Sequence, residues 1–146
     1  MKIILALGGR GSNFTNYVQT LQNSCNVTVI TVDLQITEMI DDLKNKNVCI
    51  VVGLGGTKGT SLAEAAAKVL GQNGIDFRVY ATLPFNFEGK KRLKTAQEAL
   101  KHMTQNGYTV VTEDNNAMLK NGLGDINSIQ EAFVNLDKAL YEEICG

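Results

Sequence analysis

Two short glycine-rich segments combine flexible backbone with cationic and hydroxyl side chains. The first reads Gly8-Gly9-Arg10-Gly11-Ser12-Asn13, and the second reads Gly55-Gly56-Thr57-Lys58-Gly59-Thr60-Ser61. Glycine permits positive φ angles and lets a ligand approach the backbone without meeting a Cβ. Where such a segment opens a helix, unpaired N–H groups and the positive end of the helix dipole face the ligand. The pattern therefore predicts a phosphate-binding site, with Arg10 and Lys58 adding positive charge.

The first glycine segment directly follows a short, continuous apolar run, and the second follows another such run after Gly53-Leu54. Five such runs recur, at 3–7, 27–32, 48–52, 77–82 and 108–112. Continuous runs are typical of strands buried on both faces of a parallel sheet. Amphipathic stretches alternate with them, at 13–21, 36–43, 62–70, 91–103 and 128–144, and Ser61 with Glu64 has the spacing of a helix capping box. The alternation predicts a Rossmann-like α/β domain, a three-layer sandwich with right-handed crossovers.

Length and composition limit the classes of protein that need to be considered. The 146 residues suit one domain, 1–146, and 14 Lys and Arg against 15 Asp and Glu give a net charge of −1. This balance argues against a general nucleic-acid binder. No apolar run approaches the length of a bilayer span. The three cysteines lack Cys-x-x-Cys spacing, so we expect no metal site, reduced thiols and a cytoplasmic protein.

Neither glycine segment fits a common nucleotide-binding pattern. Phe14 stands where a Gly-x-Gly-x-x-Gly segment has its third glycine, and Lys58 precedes Gly59 instead of following it as in a Walker loop.

A third motif, after the fourth apolar run, points to a particular family. It reads Pro84-Phe85-Asn86-Phe87-Glu88-Gly89-Lys90-Lys91-Arg92. With the two glycine segments before it, the sequence resembles the FtsZ/tubulin family. The first segment is similar to the family's Gly-Gly-x-Gly-x-Asn-x-x-Asn, and the second to its Gly-Gly-Gly-Thr-Gly-Thr-Gly signature, with matches at Gly55, Gly56, Gly59 and Thr60. The resemblance covers nearly the whole chain, but only the family's N-terminal, nucleotide-binding half.

The resemblance implies that the ligand is GTP or GDP. It implies that Asn115 and Asp137 contact guanine, that Phe133 stacks on the base, and that Glu88 and Arg92 lie at the ribose. The chemistry is consistent, because a carboxylate accepts hydrogen bonds from guanine's edge and an aromatic ring offers a stacking face. The predicted binding residues are Gly8, Gly9, Arg10, Gly11, Asn13, Gly55, Gly56, Thr57, Lys58, Gly59, Thr60, Glu88, Arg92, Asn115, Phe133 and Asp137.

Structural alternatives remain open for several of these residues. Phe133 is also a suitable core residue, Asp137 a suitable solvated acid, and Asn115 a suitable turn former. Glu88 and Arg92 also have the spacing of an ion pair.

The connection between the second and third strands is short. Only 14 residues, Leu34 to Asn47, separate Asp33 from Val48. The family has an edge strand and a third glycine loop facing the γ-phosphate here, and an acidic loop and second domain after its central helix. Without the edge strand, we expect five parallel strands in the order 2-1-3-4-5, with the ligand at the switch point between strands 1 and 3.

Two functions follow as hypotheses. The first is a minimal, FtsZ-like guanine-nucleotide-binding protein that neither hydrolyses GTP nor polymerises alone, binds magnesium weakly at best, and associates with full-length FtsZ or with a second copy of itself. In this reading no residue of the chain is assigned a catalytic role. The second is a degenerate scaffold that binds a protein without nucleotide, because Lys58 and Ser61 add bulk to the second glycine segment.

Overall fold

The computed structural model describes residues 2–19, 26–30, 33–44, 46–85, 88–114 and 126–145. Strands and helices alternate along the chain. The strands are β1 (Lys2–Leu7), β2 (Asn26–Ile30), β3 (Asn47–Gly53), β4 (Phe77–Leu83) and β5 (Thr109–Asp114). The helices are α1 (Gly8–Gln19), α2 (Asp33–Leu43), α3 (Thr57–Gln72), α4 (Lys90–Gln105) and α5 (Ile126–Cys145).

The strands form one parallel sheet in the order β2-β1-β3-β4-β5. In its register, Cys49 of β3 lies between Ile4 of β1 and Arg78 of β4. The five consecutive residues 48–52 are all buried, because helices cover both faces of β3. The predicted α/β class with a parallel sheet is confirmed.

Helices pack on both faces of the sheet, so the core has two halves. On one face, α2, α3 and α4 contribute Ile36, Leu70 and Met103 to a cluster with Leu5, Ile50 and Val79 of the sheet. On the other face, α1 and α5 contribute Phe14, Val18, Leu140 and Ile144 to a cluster with Ile4, Val51 and Tyr80. The rings of Tyr17 on α1 and Tyr141 on α5 meet edge to face, with centroids 6.4 Å apart. Among the described residues, no helix has the length and apolar character needed to cross a membrane.

All five helices begin before the predicted amphipathic stretches, and α1 and α3 do so by five residues each. Helix α1 starts at Gly8 and contains the whole first glycine segment, whereas α3 starts at Thr57 and contains the second segment from Thr57 onward. The predicted capping box is wrong, because the N-cap of α3 is Gly56 and Ser61 lies inside the helix. Glu64 instead places Oε1 3.5 Å from Nδ1 of His102 on α4.

Candidate functional site

The two glycine segments meet at the carboxyl edge of the sheet. Gly8 has φ +66°, and a Cβ added there would lie 3.2 Å from the Cα of Gly59. This distance is too short for an ordinary Cβ contact, so α1 and α3 begin with their backbones against each other. Both the backbone conformation and the space at this junction therefore favour glycine.

The second glycine segment also packs against the start of α4. Gly55 has φ +114°, and a Cβ there would lie 3.0 Å from the carbonyl oxygen of Arg92 and 3.2 Å from Cγ of Pro84. Pro84 was not among the predicted site residues, although its place directly after a strand and its being the chain's only proline were available signals. The segments that follow β1, β3 and β4 thus converge.

A buried hydroxyl holds the second segment in shape. Thr60 is 6% exposed, and its Oγ1 accepts a hydrogen bond from the backbone N–H of Gly55 at 3.1 Å. Gly56 provides no capping side chain for α3, and a Cβ added to it would meet nothing within 4 Å. The first N–H groups of a helix have no partner within the helix. The place where the two glycine segments meet is therefore closely packed at Gly8, Gly55 and Gly59, and it is open beside Gly56.

The electrostatics of this edge favour an anion. The first turns of α1, α3 and α4 contain no acidic residue. They contain five cations instead: Arg10, Lys58, Lys90, Lys91 and Arg92. A cation in the first turn opposes the helix dipole, which favours negative charge there. The first turns of α3 and α4, whose cationic side chains the structure describes, therefore form a positive region that an anionic ligand would neutralise.

Glu88 makes two contacts that organise the connection between β4 and α4. Its Oε2 accepts a hydrogen bond from the Phe85 N–H at 2.7 Å, and its Oε1 lies 3.7 Å from Nη1 of Arg92. The ion-pair alternative for Glu88 and Arg92 is therefore confirmed, although Glu88 precedes α4 and does not lie within it. A ribose contact by either residue stays a prediction.

Asp137, which the family resemblance assigns to the base, is buried. It lies on α5 and is 7% exposed, so the alternative of a solvated surface acid is wrong. Phe133 lies one turn earlier on α5, and its side chain is outside the described residues. The side chains of 9–13 and the whole of Asn115 are also outside them, so their predicted roles remain predictions.

The described residues fit a phosphate group better than a metal held by protein ligands. Within them, no group of three or more His, Cys, Asp or Glu side chains could hold a metal ion. The glycine junction and the cations of the three first turns suit phosphate oxygens instead.

Comparisons with known proteins agree with this architecture. The family model "Tubulin/FtsZ family, GTPase domain" matches residues 27–122, so the chain belongs to the tubulin/FtsZ family. It is 30% identical over 111 residues to cell division protein FtsZ 2 of Rhizobium meliloti, which covers 75% of this chain and 32% of that protein. It is 33% identical over 99 residues to FtsZ of Pseudomonas putida, covering 68% of this chain and 25% of that protein.

Solved structures share the fold. An empty FtsZ dimer from M. jannaschii superposes with a TM-score of 0.72 at 20% identity, covering 95% of this chain and 51% of that chain. CetZ2 from Haloferax volcanii, in a GTPγS-bound protofilament, superposes with a TM-score of 0.69 at 18% identity, covering 98% of this chain and 57% of that chain. The chain thus spans about half of these structures, and a quarter to a third of the two curated relatives.

Proposed function

We propose that the chain binds a guanine nucleotide, GTP or GDP, at the carboxyl edge of its sheet. The observation that carries the proposal is the direct apposition of the two glycine segments at Gly8 and Gly59. The strand order places the segments after β1 and β3 side by side, at the switch point where parallel α/β sheets bind ligands. Membership of the tubulin/FtsZ GTPase-domain family supports the same ligand.

In this proposal the phosphates lie at the glycine junction and the base lies toward α5. The open side of Gly56 and the first turn of α3 offer N–H groups to phosphate oxygens. Asp137 accepts hydrogen bonds from N1 and N2 of guanine, and Phe133 stacks on the ring. Glu88 and Arg92 contact the ribose while keeping the ion pair that they make with each other.

The chain alone neither hydrolyses GTP nor forms a filament. Helix α2, of 11 residues, is the element between β2 and β3 in the described part of the chain. The family's third glycine loop, which faces the γ-phosphate, would have to lie in this connection. Its absence supports a binding protein and leaves no residue assigned to activate water.

The protein partner that we propose is a full-length FtsZ, bound through the nucleotide-containing edge of this chain. A chain that covers about half of the FtsZ dimer subunit could occupy one filament end and regulate or cap assembly. Cosedimentation of the purified chain with FtsZ filaments tests this partner. Equal FtsZ pelleting with and without the chain, and no chain in the pellet, would remove it.

The nucleotide itself is tested by heating the purified protein and separating the released small molecules by chromatography. We expect GDP or GTP, and a higher melting temperature when GDP is added to the stripped protein. If no nucleotide is released and GDP leaves the melting temperature unchanged, the scaffold function is the better one. Ser61 does not favour that scaffold, because it is exposed in the second turn of α3, beyond the junction.

A further inference from the structure

A second cavity lies at the amino edge of the sheet, at the opposite end of the strands from the glycine segments. Its volume is about 540 Å³, which is typical of small-molecule sites. The residues that line it at the starts of β3, β4 and β5 include Asn47, Cys49, Asp76, Arg78, Tyr80 and Thr109. The strand register sets Cys49, Arg78 and Thr109 side by side, so a rigid parallel sheet holds this wall of the cavity.

The cavity is lined by a buried polar group that lacks a protein partner. Tyr80 is 4% exposed, and its hydroxyl makes no hydrogen bond with any of the described residues. Buried tyrosine hydroxyls usually have a partner, and an unpaired one costs free energy. Because Tyr80 lines the cavity, a ligand bound there can supply the missing partner.

Two opposite charges line the same cavity without pairing. Arg78 and Asp76 are both exposed, and neither makes an ion pair of 4 Å or less within the part of the chain that the structure describes. A guanidinium group binds a carboxylate through two parallel N–H donors, and a carboxylate accepts from an ammonium group. A ligand that carries a carboxylate and an ammonium on neighbouring atoms can therefore satisfy both residues.

We propose that this cavity binds a free α-amino acid with an apolar side chain, such as phenylalanine. The Arg78 guanidinium and the Tyr80 hydroxyl donate to its carboxylate, and Asp76 accepts from its ammonium group. The side chain of the ligand packs against the ring of Tyr80 and against Cys49, which is 4% exposed. The site is separate from the proposed nucleotide site and does not depend on it.

The test is an NMR titration of the isotope-labelled chain with L-phenylalanine, phenylpropionate, phenylethylamine and glycine. The last three compounds lack, in turn, the ammonium group, the carboxylate and the apolar side chain. We expect saturable amide shifts at 47–49, 76–80 and 109, and none at 55–60. L-phenylalanine is expected to bind at least about tenfold more tightly than each of the other three, because each lacks a charge-assisted hydrogen bond or the apolar contact.

Three variants assign the contacts, and melting temperatures check their fold. Arg78→Gln is expected to lower the affinity for L-phenylalanine to that for phenylethylamine, and Asp76→Asn to that for phenylpropionate. Tyr80→Phe is expected to weaken L-phenylalanine binding and to keep the melting temperature, because the lost hydroxyl has no partner among the described residues. The matched control is Lys101→Gln, which removes an exposed cation of α4 and is expected to change neither property.

Two results would overturn the amino-acid site. One is the absence of saturable shifts at these amides with L-phenylalanine on the order of 10 mM, and the other is equal binding of all four compounds. Equal affinity of Arg78→Gln and Lys101→Gln for L-phenylalanine would also overturn it. None of these results bears on the guanine nucleotide, since no nucleotide is present and the cavity lies at the other edge of the sheet.

Discussion

Asp137, a buried acid on α5, is the residue that we propose selects guanine over adenine. Asp137 is 7% exposed, and in the proposed function its carboxylate accepts hydrogen bonds from the base. Guanine presents N1–H and an amino group side by side, and both are donors. Adenine presents an unprotonated N1 at the corresponding position, so its lone pair would face the carboxylate. One carboxylate can therefore separate the two bases.

We predict that Asp137→Asn weakens GDP binding by at least about tenfold, since a charged acceptor is lost and the amide places a donor against guanine's donors. Calorimetry measures the effect. Asp76→Asn is the matched control, because Asp76 is exposed beside the amino end of β4. Unchanged GDP affinity in Asp137→Asn would show that Asp137 does not bind the base.

The energetic effect of the close approach of Gly8 to Gly59 can be measured by comparing alanine substitutions at two glycines. Gly8 and Gly74 have nearly the same φ, +66° and +67°, but a Cβ at Gly74 would meet nothing within 4 Å. Alanine at either position adds left-handed strain of roughly 1 kcal/mol, and only Gly8→Ala adds a clash with backbone. We predict that Gly8→Ala lowers the free energy of unfolding by at least about 1 kcal/mol more than Gly74→Ala. Equal losses in urea denaturation would mean that the junction relaxes without cost.

The strands were easier to predict than the helix starts. The predicted runs at 3–7 and 48–52 each lie within an observed strand, because a strand buried on both faces must be apolar at nearly every position. The starts of α1 and α3 carry glycine, cations and hydroxyl residues instead of an apolar stripe. Periodicity therefore detects only the amphipathic part of each helix, which is why Gly8 and Thr57 were missed as first residues.

The internal contacts of the candidate site could not be predicted from its residue types. Family motifs identify Gly55, Thr60 and Glu88, yet nothing local predicts that Thr60 accepts from Gly55 or that Glu88 accepts from Phe85. These contacts depend on how the segments after β3 and β4 are brought together by the sheet. A motif indicates which residues matter, whereas the fold determines whether they bind a ligand directly or support residues that do.

The hydrogen bond between the Gly55 N–H and the Thr60 hydroxyl of α3 gives a prediction about stability and ligand binding. Thr60→Val keeps the side-chain shape and leaves the buried N–H of Gly55 without its acceptor, which costs roughly 1–3 kcal/mol. Thr104→Val is the control, because the Thr104 hydroxyl donates to its own helix at an exposed position. We expect a lower midpoint in urea and weaker GDP binding for Thr60→Val alone. Identical midpoints for the two variants would show that the hydrogen bond from Gly55 to Thr60 does not stabilise the fold.

The molecule as a whole is nearly neutral but unevenly charged. The net charge is −1, while the first turns of α1, α3 and α4 carry five cations and no acids. A local excess of this kind attracts anionic ligands and raises their association rate, and salt screens the attraction. A net charge near zero can therefore conceal a local positive region, and the expected absence of a general nucleic-acid surface stays a prediction.

The short connection between β2 and β3 gives a prediction for the whole chain. We expect no GTP turnover above the rate of a protein-free control and no sedimentable polymer when the purified chain is incubated with GTP and magnesium. Phosphate release and pelleting measure the two properties. Sustained phosphate release that increases in proportion to protein concentration would show that the chain has a catalytic group we have not identified.

The edge-to-face pair of Tyr17 and Tyr141 offers an intrinsic fluorescence probe for the proposed ligand. The chain contains four tyrosines and no tryptophan, so tyrosine emission is not masked by energy transfer to an indole. Tyr17 lies on the helix that begins at the glycine junction, and Tyr141 lies one turn after Asp137 on the helix that we propose contacts the base. A ligand that engages both helices would alter the packing of these two rings. Its arrival could then be followed by ultraviolet emission without attaching a dye.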